Sequence, residues 1–309
     1  TGAGLADVDK RINDAIARVL TRQASSGAFG LWRAQAGEFW LDAYVTDFLS
    51  QARAAGYAVP EHAMTLALDN LRNRLNYAPA FDSGGEALAY ALMVLAREGA
   101  ARIGDLRYYA DAKASAFATP LARAQLGAAL AQYGEQARAD RMFGLAQDMA
   151  LASRPDAPRW RADFGTRIRD AAGVLHLAAQ AGSARVDRGA LASAITGQSR
   201  SYSTQEAAQI VMAAQALRSP GGLAAFAVDG APVTGPVVQT HAPGSAASVI
   251  ANISGSAQDV TLTTLGVPLV APEAGGYGYA ITRRAFSMEG APADGPWQVG
   301  ERRVIVLEV

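Results

Sequence analysis

The spacing of apolar residues changes once along this 309-residue chain, and that change fixes the order in which a fold has to be built. Up to about Leu217 apolar side chains recur every three or four residues, and after "RSPGGLAAFAVDG" they alternate. The first period puts side chains on one face of a helix, and the second puts them on one face of a strand. A helical part followed by a β part is therefore expected.

In the helical part, Ile12, Ile16, Val19 and Leu20 mark the apolar stripe of a helix from Leu5 to about Gln23. Similar stretches cover 39–54, 60–76, 85–97, 120–133, 135–150, 163–180, 188–197 and 204–217. Gly56, Gly99, Gly134 and Gly182 stand where a helix end wants positive φ, and Pro60 and Pro120 stand where a first turn tolerates proline. Ser203-Thr204-Gln205-Glu206 reads as a capping box. Segments such as "EALAYALMVL" carry alanine and leucine on more than one side, as helices packed on helices do. Consecutive antiparallel hairpins follow, as an α/α toroid or a short solenoid, and the absence of a fixed repeat weighs against the solenoid.

In the last third, "ASVIANISG", "QDVTLTTLGV", "YGYAITRRAF" and "RRVIVLEV" are β-branched runs separated by Gly, Pro, Asp and Ser. These are expected to be antiparallel strands of a β-sandwich module. The division expected is 1–218 for the helical domain, 219–298 for the β module, and 299–309 for the first strand of a following domain.

Composition removes several functions. The 28 basic and 28 acidic residues cancel, so no field steers the chain toward nucleic acid or an anionic membrane. The sequence has no cysteine, which excludes disulfides and thiolate chemistry within it. No apolar run reaches the roughly 20 residues of a membrane span. The three histidines, His62, His176 and His241, have no second histidine one turn away, so neither a metal nor a cofactor is expected. Asp42 and Asp47 stand five residues apart and should point in different directions around their helix. Asp163 reads as a helix cap and Asp170 as an exposed or arginine-paired position. No nucleophile-elbow, phosphate-loop or dinucleotide motif is present.

Between residues 25 and 49 lies a dense aromatic stretch, "SSGAFGLWRAQAGEFWLDAYVTDFL", with Phe29, Trp32, Trp40 and Tyr44 as its candidate functional or packing residues. "GAFGLW" followed by "EFWLDAYVTDFL" resembles a segment of the thioester-containing domains of the α2-macroglobulin and complement family, with the bacterial α2-macroglobulins most alike. "RAAGYAVP" is similar to that family's next loop. "LTTLGVP", "YAITRRAFSMEG" and "VGERRVIVLEV" are similar to the segment where a CUB-like β domain closes and a macroglobulin-type domain begins.

The resemblance implies a six-hairpin α/α toroid with a flanking CUB-like module, in a periplasmic protease inhibitor whose parent is exported and is either free or anchored to the inner membrane. It implies proteases and the other domains of the parent chain as partners, and no enzyme turnover. The family's reactive Cys-x-x-Gln thioester would lie upstream of Thr1 or be absent, so no reactive residue carries over. Trp32, Trp40 and Tyr44 would shelter the thioester region, or the stretch would be core packing alone. Arg159, Arg161, Arg167 and Arg169 are the expected polar interface to the β module. The alternative is an α/α-toroid lyase, glycosidase or cyclase, which requires Asp42, Glu86 or Asp163 to meet Tyr90, Tyr108 or Tyr109 in one pocket.

Overall fold

The computed structural model of the chain describes residues 2–78, 80–152, 161–196, 201–217, 226–233, 239–242, 244–254, 270, 273 and 280–309. The chain divides into two compact units, Thr1–Leu223 and Ala224–Val309. It is an α+β chain with helices confined, among the described residues, to the first unit.

The helices of the first unit are α1 (Gly2–Leu20), α2 (Phe39–Ala54), α3 (Glu61–Asn76), α4 (Glu86–Arg97), α5 (Ile103–Ala112), α6 (Pro120–Gln132), α7 (Gln136–Ala152), α8 (Arg167–Gln180), α9 (Arg188–Thr196) and α10 (Thr204–Leu217). From α2 onward they alternate between an inner and an outer position. α4 is buried continuously from Leu88 to Ala96, and α8 from Ile168 to Ala178. α5 buries only Leu106 and Ala110, and α9 only Leu191 and Ile195. α4 packs between α2 and α6, and α8 packs between α6 and α10. A hydrogen bond of 3.0 Å from Gln205 on α10 to the Tyr44 hydroxyl on α2 closes the ring. The outer helices α3, α5, α7 and α9 pack against this inner layer, which makes the unit an α/α toroid.

Small residues set how closely the helices approach. A Cβ at Gly173 of α8 would lie 2.5 Å from Leu121 Cδ1 of α6, so even a methyl there would require the Leu121 side chain to move. Leu92, Leu95, Phe117, Leu126, Leu130 and Phe143 fill the larger core completely. Burial of each such side chain contributes about 1.5–3 kcal/mol. A smaller core of Ile16, Phe29, Leu49, Ala52, Met64 and Ala67 joins α1, α2 and α3.

The helix ends follow local chemistry. Gly56, Gly99, Gly134 and Gly182 have φ between 64° and 91°, as the sequence requires of them. Ser203 and Glu206 form the reciprocal capping box, with Ser203 N donating to Glu206 Oε2 at 2.7 Å. Two expectations are corrected. Thr166, whose hydroxyl accepts from Arg169 N, caps α8, so Asp163 lies before the helix rather than at its cap. α5 escapes the periodicity because its stripe is only Leu106 and Ala110 on a ten-residue helix interrupted by Gly104.

In the second unit, β1 (Phe226–Val228), β2 (Ala231–Val233) and β3 (Ile250–Asn252) form an antiparallel sheet in the order β2-β1-β3. Asp229 and Gly230 turn between β1 and β2 with φ of 51° and 80°, the two positive values that a tight hairpin turn demands. Pro232 is tolerated because β2 is an edge strand. β4 (Thr282–Ser287) pairs with β5 (Arg303–Glu308) from Thr282↔Glu308 to Ser287↔Arg303. The final strand is thus paired inside this unit. Its Arg303 donates to the carbonyls of Ala293, Gly295 and Pro296, and its guanidinium lies 5.0 Å from the Trp297 ring. The expected strand "QDVTLTTLGV" lies outside the described residues.

Gly27 provides a test of the helical unit. It has φ 86°, and a Cβ there would sit 1.9 Å from the Leu66 carbonyl oxygen, whereas Gly56, at φ 91°, has nothing within 4 Å. Gly56→Ala should cost about 1–2 kcal/mol from backbone strain alone. Gly27→Ala should cost clearly more, because the α3 backbone must also move. Urea midpoints followed by helical circular dichroism check the difference, and equal costs would contradict this packing.

Candidate functional site: a polar cavity on the axis of the helical ring

Each inner helix turns one stripe toward the axis of the ring, and together these stripes line a cavity. α2 contributes Trp40, Tyr44, Asp47 and Gln51, and α4 contributes Glu86, Tyr90, Met93 and Arg97, both at the spacing of a single helix face. α6 adds Leu121, Ala122 and Gln125, α8 adds Arg169, His176 and Leu177, and α10 adds Gln205, Gln209 and Met212. The cavity itself is small, with a volume of about 30 Å³.

Its charges are largely paired. Asp47 accepts from the Tyr90 hydroxyl at 2.8 Å and from the Arg97 guanidinium. Arg169, 2% exposed, donates to the Asp163 carbonyl, to Asp163 Oδ2 at 2.7 Å and to Asp170 Oδ1 at 3.0 Å. Arg161 bridges the same two carboxylates at 2.7 and 2.8 Å. Burial pushes the Asp163 carboxyl up, but Arg161 and Arg169 outweigh it and hold the group below its usual range. Burial raises the Tyr90 hydroxyl well above its normal value, with Asp47 adding to the effect. Burial also lowers His176, against the pull of Asp47, so the imidazole is uncharged at neutral pH. Arg161 and Arg169 are therefore committed inside the helical unit, which corrects their assignment to an interface. Arg159 lies outside the described residues.

The aromatic candidates separate. Phe29, 1% exposed, is in the smaller core. Trp40 stacks on Tyr44 with ring centroids 5.0 Å apart and planes 13° apart, and meets Tyr90 edge-on at 6.0 Å. Phe164, held at φ 53° just before α8, has its ring centroid 5.3 Å from that of Trp40, tilted by 59°. Trp32 is 81% exposed, so it is neither core nor cavity wall, which corrects its reading as a packing residue.

Asp42 lies away from the cavity and organises the aromatic stretch. Its Oδ1 accepts from Phe29 N at 2.7 Å, and its Oδ2 accepts from Asn70 at 2.9 Å and from Arg74 Nε at 3.0 Å. Burial raises its pKa against the opposing effects of those three partners. Of the groups an enzyme of this shape would need, the cavity gathers Glu86, Asp163 and Tyr90 but not Asp42, Tyr108 or Tyr109. Asp163 is held ionised by two guanidiniums and is unsuited to deliver a proton. Sequence reasoning weighed Asp47 only as one of a diverging pair and missed Arg97, Gln125 and Gln209. Each is marked only by lying on the same face of its own helix as other lining residues, and that signal is common to any buried stripe.

Two of the buried aspartates, Asp42 and Asp163, should titrate in opposite senses. The folded pKa of Asp42 is raised, so its contribution to stability is full below about 3.8 and is lost as pH rises from there through the folded value. The folded pKa of Asp163 is lowered, so its contribution is present above about 3.8 and is lost as pH falls through the folded value. In urea titrations across acidic pH, the stability of the wild-type chain relative to Asp42→Asn should fall with rising pH. Relative to Asp163→Asn it should rise.

No family model matches the chain. It is 35% identical over 172 residues to alpha-2-macroglobulin of Escherichia coli strain K12, a match covering 52% of this chain and 10% of that protein. It is 29% identical over 177 residues to alpha-2-macroglobulin of Xylella fastidiosa strain Temecula1, covering 54% of this chain and 11% of that protein. The matched segment thus spans about a tenth of the length of these curated relatives. Among solved structures, Salmonella alpha-2-macroglobulin reacted with methylamine superposes with a TM-score of 0.65 at 28% identity, over 90% of this chain and 19% of that one. Trypsin-activated alpha-2-macroglobulin from Escherichia coli superposes with a TM-score of 0.57 at 27% identity, over 77% of this chain and 16% of that one. Sequence and fold agree, and the chain belongs to the bacterial alpha-2-macroglobulin family.

Proposed function

We propose that the chain is a section of a periplasmic protease inhibitor that traps a protease after the protease cuts a bait segment elsewhere in the parent protein. The observation that carries this reading is the superposition over 90% of the chain on the Salmonella protein. That relative was reacted with methylamine, and Escherichia coli relatives were activated by trypsin and by elastase. An amine that reacts with such a protein and a protease that activates it are what an acyl-transfer trap would meet. In this reading the helical ring is the body of a thioester-type domain, and residues 224–309 are its CUB-like connection to the rest of the parent. Trapping needs a large rearrangement, so the ring moves as a rigid unit and its joints give way. Capture is covalent only where a Cys-x-x-Gln segment lies upstream of Thr1, since this sequence has no cysteine.

The test uses the full-length parent protein incubated with trypsin. Bound trypsin should keep its activity on a small peptide substrate and lose most of it on a large protein substrate. Intact mass and free thiol, measured before and after methylamine, separate the two modes of capture. A mass gain with release of one thiol makes capture covalent, and no change makes it non-covalent. Trypsin that stays fully active on the large substrate would refute trapping.

A further inference from the structure

The turn that leads into α2 carries an exposed tip. Residues 31–36 are all exposed, and the tip begins with two large apolar side chains in succession, Leu31 at 51% and Trp32 at 81% exposure. Single exposed apolar residues are ordinary, but an adjacent pair makes a patch. Leu31 also shares an apolar hollow of about 170 Å³ with Val19, Leu41 and Val45, so the apolar surface continues from the tip into the body of the unit. The tip is held in place from behind. Gly30 N donates to the Arg22 carbonyl at 3.1 Å, the Arg22 guanidinium donates to the Leu31 carbonyl, and Phe29 N donates to Asp42 at 2.7 Å. A partner therefore meets a preorganised surface and bears little ordering cost.

The charge beside the tip is mostly of one sign. Between residues 18 and 38 the chain carries Arg18, Arg22 and Arg33 against a single acid, Glu38. None of the three arginines makes an ion pair, while the nearest acids on either side are taken, Asp14 by Lys10 at 2.6 Å and Asp42 by Arg74 at 3.0 Å. Arg18 stands in the last turn of α1, Arg22 is bonded to the tip at Leu31, and Arg33 follows Trp32 directly. Free guanidiniums match phosphate oxygens with two parallel hydrogen bonds. Two bulky side chains on an exposed tip need either a protein pocket cut to their shape or a fluid apolar phase that closes around them. Tryptophan is favoured where such a phase meets water, because its ring is apolar and its N–H is not. An anionic bilayer surface meets both demands together, with phosphates at the level of the arginines and acyl chains under Leu31 and Trp32. The chain as a whole is neutral, so the attraction is local to this tip.

We propose that Leu31 and Trp32, with Arg18, Arg22 and Arg33, dock this unit on an anionic lipid surface. The proposal goes beyond protease trapping and does not rest on it. The 309-residue chain is sedimented with vesicles of phosphatidylglycerol and phosphatidylcholine in equal parts, and with vesicles of phosphatidylcholine alone. At about 0.01 M salt, where charges act over about 30 Å, the chain should partition onto the anionic vesicles and not onto the neutral ones, and about 1 M salt should release most of it. Trp32→Ser should weaken partition about tenfold through lost apolar burial. Arg22→Gln and Arg33→Gln should each weaken it about fivefold. Tyr77→Ser, which removes an aromatic ring 86% exposed at the end of α3, should leave it unchanged. Brominated acyl chains should quench the tryptophan emission of the bound wild-type chain and quench that of Trp32→Ser much less.

No partition onto anionic vesicles at low salt would overturn the docking. Equal partition onto both kinds of vesicle would overturn the role of the arginines, and that comparison stands on the unmodified chain whether or not any variant folds. Quenching as strong in Trp32→Ser as in the wild type would place the contact elsewhere and overturn the tip. Sedimentation velocity without vesicles tests the rival occupant. Self-association that Trp32→Ser abolishes would assign the tip to a second copy of the chain and overturn the lipid partner.

Discussion

Charge buried on the axis of the helical ring has to be matched within the ring, and that requirement fixes how the inner helices sit against each other. Alanine-rich surfaces have low relief and would let helices slide along their axes with little change in buried area. Asp47 of α2 removes that freedom by meeting Tyr90 and Arg97 of α4 at once. Glu206 of α10 meets the Thr166 hydroxyl at the start of α8 at 2.6 Å, and the capping box holds the same carboxylate from below. Breaking one member of a buried pair leaves the other uncompensated, typically at a cost of about 3–5 kcal/mol. A register error of one turn would break several such contacts together. The apolar core supplies most of the energy of the fold, and the polar axis supplies the register.

The same logic holds outside the ring at Asp42. The turn before α2 brings its backbone against α3 at Gly27, where no side chain fits beside the Leu66 carbonyl. Phe29 can be buried there only if its own N–H finds an acceptor, and Asp42 provides it at 2.7 Å. Asn70 and Arg74 then hold the carboxylate from α3. One buried acid therefore ties the turn, α2 and α3 together and places Phe29 in the smaller core. It also sets the start of α2, from which Trp40 and Tyr44 reach the ring axis. The dense aromatic stretch divides into a core anchor, a cavity wall and an exposed Trp32.

What the sequence shows is set by distance along the chain. The stripe of Ile12, Ile16, Val19 and Leu20, the glycines after four helices and the Ser203–Glu206 box all report on neighbours within two turns, and the structure follows them. The hairpin at Asp229-Gly230 is equally local. α5 is obscured because two buried residues make too short a stripe to stand out. The cavity is hidden for a different reason. Asp47 and Arg97 are 50 residues apart, and Glu206 meets Thr166 across 40, so no window of helical length contains both partners. Read one helix at a time, Asp163 looks like a cap and Arg169 like a surface charge. They meet across six residues, through a loop-to-helix contact at the start of α8 that helical periodicity does not report.

The choice of arginine explains why the axis is matched but not saturated. A lysine at position 169 would bring three donors on a rotating ammonium, which two carboxylates and a carbonyl could satisfy completely. Arginine brings five donors in a rigid plane. At Arg169 the two terminal nitrogens are taken by Asp163 and Asp170, and the geometry of the fork then leaves Nε with no acceptor among the described residues. The guanidinium has to be there, because Asp163 and Asp170 are almost fully buried and each needs a directional, permanently charged partner. A buried donor without a partner among the described residues is thus a geometric by-product of neutralising two buried aspartates with a planar cation. The network that holds α8 in place therefore carries one unmet donor as part of its own geometry, offset by the two carboxylates it neutralises.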